Sequence, residues 1–522
     1  MKKKIIFLDV QSIQKRSLKS FLNSKAWPVS ETIFWKLANF IFEEYIKELK
    51  KLDQRSYKIA LIELRFISLL INILHYNYVK NYSKENNYKC IYDKSSEQFF
   101  NPDWEQISKA YQNYEYPYNK LQRIFRKLVK LIYFNIHLSF KDIIKGVFSK
   151  KENLSFGSFD KIKQDFIKKN NKFFLHVEWI DFLNKVDFKN KKLTPNKKLE
   201  IRIINNILAK VSRSSTLRLF VKGLDLKKIN LASQKRLESI SIIYEHLLYL
   251  KAPKQVIFTE SPNPFHKILS SVYISKGSKV INFSHGNDFG LVSQKWTQTY
   301  FYAQTSNYVL ENSNICNIIK KSSYKLPLVK MEKTSFLSAN SNIGLKRNSI
   351  TYSKIINKKI KKVMLIGFPM NSLRYTDDAY CFFHYKLKLE VHILKNLKYL
   401  GYYTIYKTHP DRVREIGSIM NNLVDECNSN TFESVWQETD ALIFTYCTTT
   451  TFGYAITTPL PIVLVNIKST KWNLQRKKQI RKRVEFLDFS YNKGNKDINS
   501  YKLKNCINKA REKMPIEKIR GF

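Results

Sequence analysis

Four consecutive threonines, Thr448 to Thr451, separate the apolar run ALIFTY from a stretch of helical character in YCTTTTFGYAITTPLP. Where a strand hands over to a helix, the first helical N–H groups lack internal partners and carry partial positive charge. Threonine hydroxyls there can cap those groups or add donors to a bound anion, a phosphate cradle built without a glycine loop. An ordinary N-cap accounts for one threonine and leaves three. A second group follows the run YYTIY: Lys407, Thr408, His409, Pro410, Asp411 and Arg412. Pro410 keeps His409 extended at the strand end. Cations beside an imidazole suit a diphosphate, and a solvated, charge-rich strand end is the alternative. After KVMLIGFP comes Asn371-Ser372-Leu373-Arg374, from which Arg374 can reach the same anion.

Upstream, KVINFS ends in His285-Gly286-Asn287-Asp288. Histidine is the side chain best matched to proton transfer near neutral pH. Gly286 lets the backbone turn tightly enough for the imidazole to face a cleft, although a surface-turn histidine fits the same dipeptide. Glu260, at the end of KQVIFTES, is a second candidate base.

Strands and helices must place these groups. KFFLHVEWI, TLRLFVKGL, KQVIFTES and KVINFSHG read as short buried strands with helical patterns between several of them, which predicts a parallel sheet. Residues 335–360 are polar and predict a linker. A second alternating unit spans 361–467: strand KKVMLIGFP, helix HYKLKLEVHILKNLKYLG closed by Gly401, strand YYTIYKTHP, a helical patch, strand DALIFTY, helix TTTFGYAITT and a final strand PIVLVNI. Ligands of such sheets bind beyond the carboxyl ends of the strands, which is where the candidate residues fall.

Before the first sheet, MKKKIIFLDV predicts a buried strand, because Asp9 interrupts its apolar run too early for a signal peptide. SETIFWKLANFIFEEYIKELKK predicts a helix capped by Ser30. Residues 119–138 predict an amphipathic helix with Leu121, Ile124, Phe125, Leu128 and Ile132 on one face and Arg123, Arg126, Lys127 and Lys130 largely elsewhere. Such a stripe either lies on an anionic membrane surface or is the core face of a surface helix. The stretch 61–74 is apolar but carries Glu63 and Arg65 and falls short of the ~20 residues of a span.

The 522 residues exceed one ordinary core, and 91 Lys+Arg against 43 Asp+Glu leave a formal charge of +48. That excess points to polyanions, or to AT-rich codons, which also favour Asn, Ile, Tyr and Phe. Six scattered cysteines without a CxxC pair predict a reduced, cytoplasmic protein with no metal site. No zinc-finger or RNP-type aromatic signature supports a nucleic-acid-binding protein.

Taken together, SHGND, YKTHP and DALIFTYCTTTTFGYAITTPLPIVLVN resemble GT-B glycosyltransferases of bacterial surface polysaccharides, of capsule and lipopolysaccharide synthesis. They look particularly like the group that includes the CDP-glycerol glycerophosphotransferases. The resemblance covers roughly 254–467 and departs from the family at Ser284, where glutamine is commoner, and at Gly453 and Tyr454, where many relatives are acidic. Together with the strand–helix alternation on either side of 335–360, it leads to the expectation of an α/β chain with two Rossmann-like domains facing a cleft: 1–340, with a helical insertion read from the patterns at about 25–150, and 341–500, followed by a helical tail at 501–522. It implies a metal-independent glycosyltransferase without cofactor, working peripherally on the inner face of the cell membrane. Such an enzyme moves a sugar or polyol phosphate from a nucleotide-activated donor to a polysaccharide or lipid-linked acceptor. His285 would stand near the acceptor, and His409 with the Thr448–Thr451 turn would hold the donor phosphates. A nucleotide-sugar 2-epimerase of the same architecture is the alternative enzyme.

Overall fold

The computed structural model describes residues 4–24, 27–112, 119–148, 152–157, 161–183, 186, 201–259, 263–284, 291–292, 301–323, 334–339, 359–368, 383–409, 419–468, 470–490 and 498–513. Strand β1 (Ile5–Phe7) is buried as its apolar run predicts, and it pairs with β2 (Lys89–Ile91) in a separate two-stranded parallel ribbon. Helices dominate around that ribbon. Glu31–Leu49 starts at Ser30, whose hydroxyl accepts from the Ile33 N–H. The consecutive helices Gln54–Ile62 and Leu64–Glu85 bend by 48° around Glu63. Buried Glu63 pairs there with Arg236 at 2.7 Å and accepts from Tyr111 Oη at 2.7 Å. Among the described residues no single helix is long and apolar enough to cross a membrane; only that bent pair passes, by length and composition. Its apolar residues lie in the core.

One six-stranded sheet contains β3 (Asn153–Phe156), β4 (Leu175–His176), β5 (Gln255–Phe258), β6 (Lys279–Phe283), β7 (Asn307–Leu310) and β8 (Ser335–Ser338), in spatial order β4-β3-β5-β6-β7-β8. A second contains β9 (Lys362–Ile366), β10 (Tyr403–Lys407), β11 (Glu426–Asn428), β12 (Ala441–Phe444), β13 (Ile462–Ile467) and β14 (Glu485–Phe489), in order β11-β10-β9-β12-β13-β14. Every pairing is parallel, so the chain is α/β with two parallel sheets. Central strands such as β5 and β12 are buried along their whole length, which is why they read as unbroken apolar runs. Two carboxylates pin the amino edge of the second sheet. Asp440 accepts from the N–H groups of Lys361 and Lys362 at 2.9 Å each, and Asp425 accepts from Thr404 N–H at 2.7 Å. The second sheet's region meets the N-terminal helical segment where Phe21 packs on His384 at 5.1 Å and Tyr385 Oη donates to the Trp27 carbonyl at 3.2 Å, and it meets the first sheet's region where Asn473 N–H donates to the Leu291 carbonyl at 3.0 Å.

Several expectations change. TLRLFVKGL contains no strand; Arg218–Val221 is helical. The Asn77 amide donates to the carbonyls of Phe220 and Lys222, and that of Asn81 to Leu219 and Lys222, supplying partners that a neighbouring strand would otherwise give. The proposed linker begins with an edge strand, β8, and its remainder from 340 to 358 lies outside the described residues. PIVLVNI is not the last strand, because β14 extends the sheet beyond it. β3, β7, β8 and β11 are not evident in the sequence: they are no longer than β5 and β12 but mix polar with apolar residues, and β8 and β11 are only partly buried.

Candidate functional site

Each six-stranded sheet reverses its order once, between β3 and β5 and between β9 and β12. Connections on the two sides of a reversal leave toward opposite faces and open a crevice beyond the carboxyl ends of the strands. The threonine turn follows β12 and so stands at the second reversal. Thr449 caps the helix Thr450–Ala455, its hydroxyl accepting from Thr451 N–H at 3.3 Å. Thr448 and Thr451 are half-buried and Thr450 is exposed. With only six residues in the helix, its dipole is small, and hydroxyls and cations must provide most of any attraction for an anion.

Behind this turn the chain is fastened by Arg483. Its guanidinium is buried and donates to the carbonyls of Ile456 at 2.9 Å, Leu460 at 2.8 Å, and Thr458. Within the basic run QRKKQIRKR, residues 475–483, Arg476 and Arg483 are buried on the helix Leu474–Arg483.

Lys407 ends β10, and its buried ammonium donates to the Thr408 carbonyl at 2.6 Å. Burial pulls its pKa down to about 8, so the charge that an exposed lysine would carry throughout is labile here, and an arriving anion would restore it. His409, half-buried, follows two residues later. YYTIYKTHP and DALIFTY, successive among the predicted strands, are not adjacent in the sheet, because β9 lies between β10 and β12. Two strand spacings, about 10 Å, separate them, and Gly367 and Phe368 fill the interval at the end of β9. Arg374, Glu260 and His285 lie outside the described residues.

Beneath the reversal is a buried network that sequence reading missed. Glu390, fully buried on the helix Phe383–Tyr399, accepts from Phe368 N–H at 2.8 Å, Tyr406 Oη at 2.8 Å and Thr445 Oγ1 at 3.1 Å. One carboxyl group thus joins the ends of β9, β10 and β12. Burial pushes its pKa up to about 7 despite these donors. One helical turn earlier, Lys386 donates to the Thr445 carbonyl at 2.8 Å and lies over the Phe368 ring at 4.9 Å. Gly367 is required by packing: a Cβ there would stand 2.3 Å from Tyr406 Oη. The available signal was Glu390 falling in line with Leu387, Val391 and Leu394 at helical spacing, a carboxylate inside an apolar stripe.

The reversal between β3 and β5 is also lined with charge. Gly157, at φ +89°, follows β3, where Thr259 would clash with any Cβ. Lys163 donates to the Phe156 carbonyl at 2.8 Å, and Lys130 to the Gly157 carbonyl at 3.3 Å. Glu178 pairs with Lys130 at 3.0 Å and with His176 at 3.4 Å. The His176 contact above all, then Lys130, holds Glu178 down to about 2, while burial lowers His176 to about 4. Among the described residues no three His, Cys, Asp or Glu side chains are grouped to hold a metal ion.

No protein-family model matches this chain, and no curated protein does. At the site a hydroxyl-rich turn, a buried lysine and an imidazole share the carboxyl edge of one sheet, whose strand ends are joined by a single buried carboxyl group.

Proposed function

We propose that the protein is a glycosyltransferase of the GT-B architecture, with a Rossmann-like donor domain around β9–β14 and an acceptor domain around β3–β8. The observation that carries this reading is the position of Thr448–Thr451 at the reversal between β9 and β12, where open α/β sheets bind nucleotides. In the proposed reaction an acceptor hydroxyl attacks the activated carbon or phosphorus of a nucleotide-linked sugar or polyol phosphate. The bond to the nucleotide's terminal phosphate oxygen breaks, and a base, His285 or Glu260, takes the hydroxyl proton. Lys407, His409 and the threonine turn stabilise the charge on the departing phosphates. The acceptor would be a surface polysaccharide or its lipid-linked precursor, reached from the cytoplasmic side.

Calorimetric titration with CMP, CDP, UDP, GDP and their sugar conjugates tests the reading. One nucleotide diphosphate should bind the wild type, and His409→Ala and Thr450→Val should each weaken it about tenfold, the scale of one lost charge-assisted hydrogen bond. Binding of no nucleotide, or affinity unchanged in both variants, would reject the site. His285→Ala should instead lower turnover about a hundredfold or more and leave donor affinity near the wild-type value.

A further inference from the structure

The amphipathic helix expected at 119–138 forms at Lys120–Asn135, with a reciprocal cap between Asn119 and Gln122. Its apolar stripe is not in the core. Leu121 is 78% exposed and Phe125 69%, and Ile124, Leu128 and Ile132 are exposed with them. A second helix, Phe140–Phe148, follows a short turn and repeats the pattern, with Phe140 78% and Phe148 85% exposed. Of the seventeen large apolar side chains exposed among the described residues, eleven lie between Leu121 and Phe148. Scattered exposed apolar residues need no explanation, but a concentration of this kind marks a binding surface.

The opposite side of the pair is fixed to the body. Lys127 pairs with Asp181 at 2.6 Å, and Lys130 with Glu178. The Asn135 amide donates to the Phe174 carbonyl and accepts from Phe174 N–H, each at 2.9 Å. Gly146 lies so close to Phe173 that a Cβ would meet the ring at 2.3 Å. Two of the four basic residues set off the apolar face, Lys127 and Lys130, thus fasten the helix to the body. Lys120, Arg126, Lys141 and Lys145 are exposed, and Asp142 is the single acidic residue between Asn119 and Phe148.

We propose that Lys120–Phe148 is a docking surface for an anionic lipid bilayer, lying in the plane of the interface with its aromatic and aliphatic side chains among the acyl chains. Sixteen and nine residues rise about 24 and 14 Å. Neither helix can span a bilayer, and both suit interfacial burial. Phenylalanine and isoleucine beside lysines with almost no acidic neighbour complement headgroups of negative charge. A second copy fits less well: in a symmetric dimer the same lysines would face one another, and lysine is depleted from protein interfaces. Because Lys130 ties this pair to the end of β3, docking sets the carboxyl edge of the first sheet beside the headgroups. The docking surface stands apart from the transferase reading; only the placement of a lipid-linked acceptor there depends on it.

The test is co-sedimentation of the full chain with phosphatidylcholine vesicles, with and without phosphatidylglycerol. The wild type should bind the anionic vesicles and release as salt is raised. Phe125→Ser/Phe140→Ser/Phe148→Ser should reduce partitioning about tenfold or more, and Lys120→Gln/Lys141→Gln/Lys145→Gln should abolish the preference for anionic vesicles. Since these side chains are exposed, thermal midpoint and nucleotide affinity should be unchanged in both variants. Failure of the wild type to bind anionic vesicles, or equal binding by the phenylalanine variant, overturns the proposal. A wild-type dimer in light scattering that this variant converts to monomer overturns it in favour of a second copy.

Discussion

Tyr406 Oη donates to Glu390 Oε2 at 2.8 Å, joining the end of β10 to a helix that also holds the ends of β9 and β12 through the other carboxyl oxygen. The ends of the three strands at the reversal therefore share one buried acid.

That acid makes stability depend on pH in a defined sense. The Glu390 pKa rises from an ordinary 4.5 to about 7, so between these values the native state keeps a proton that the unfolded chain has lost. Its contribution is full below about pH 4.5 and is lost as pH rises through 7, a change on the order of 3 kcal/mol. Glu390→Gln retains acceptor and donor capacity but does not titrate. Denaturant titrations from pH 5 to 8 should show wild-type stability falling relative to the variant. Parallel curves across that range would mean that Glu390 is already ionised.

Arg483 and Lys482 are adjacent in one basic run and should behave differently. Arg483→Met leaves the carbonyls around Thr458 without their buried donor and should cost about 3 kcal/mol or more. It should also weaken nucleotide binding, because the segment after the threonine turn loses its anchor. Lys482 is exposed, and Lys482→Gln should stay within about 0.5 kcal/mol. Equal effects in chemical denaturation would contradict the buried placement of Arg483.

In the helical layer, Glu63 and Arg236 form a buried pair, with Arg236 also donating to the Ile107 carbonyl at 3.0 Å. Arg236→Met strands a buried carboxylate and should cost about 3–5 kcal/mol, whereas Glu63→Leu/Arg236→Met should cost less than the sum of the two single changes. A double-mutant cycle on thermal or urea unfolding measures the difference, and additivity would deny the coupling.

By itself the sequence determined the elements whose signal is local. Ser30 marks a helix start because capping is settled within three residues of chain. β5, β6, β9, β10, β12 and β13 are legible because strands buried on both faces are dominated by apolar and β-branched residues, and the candidate donor residues are legible because they stand just after such runs. Tertiary structure decided what depends on partners distant in the chain. The helix at Arg218–Val221 answers to Asn77 and Asn81. The separation of Lys407 from Thr448 depends on which strand lies between theirs, and strand order is not written in any local pattern. The roles of Glu390, Arg483 and Lys130 as buried anchors follow from carbonyls and donors brought to them from other segments. Whether the stripe at Leu121–Ile132 faces core or solvent was decided in the same way: periodicity defines a face, and only packing determines what that face meets.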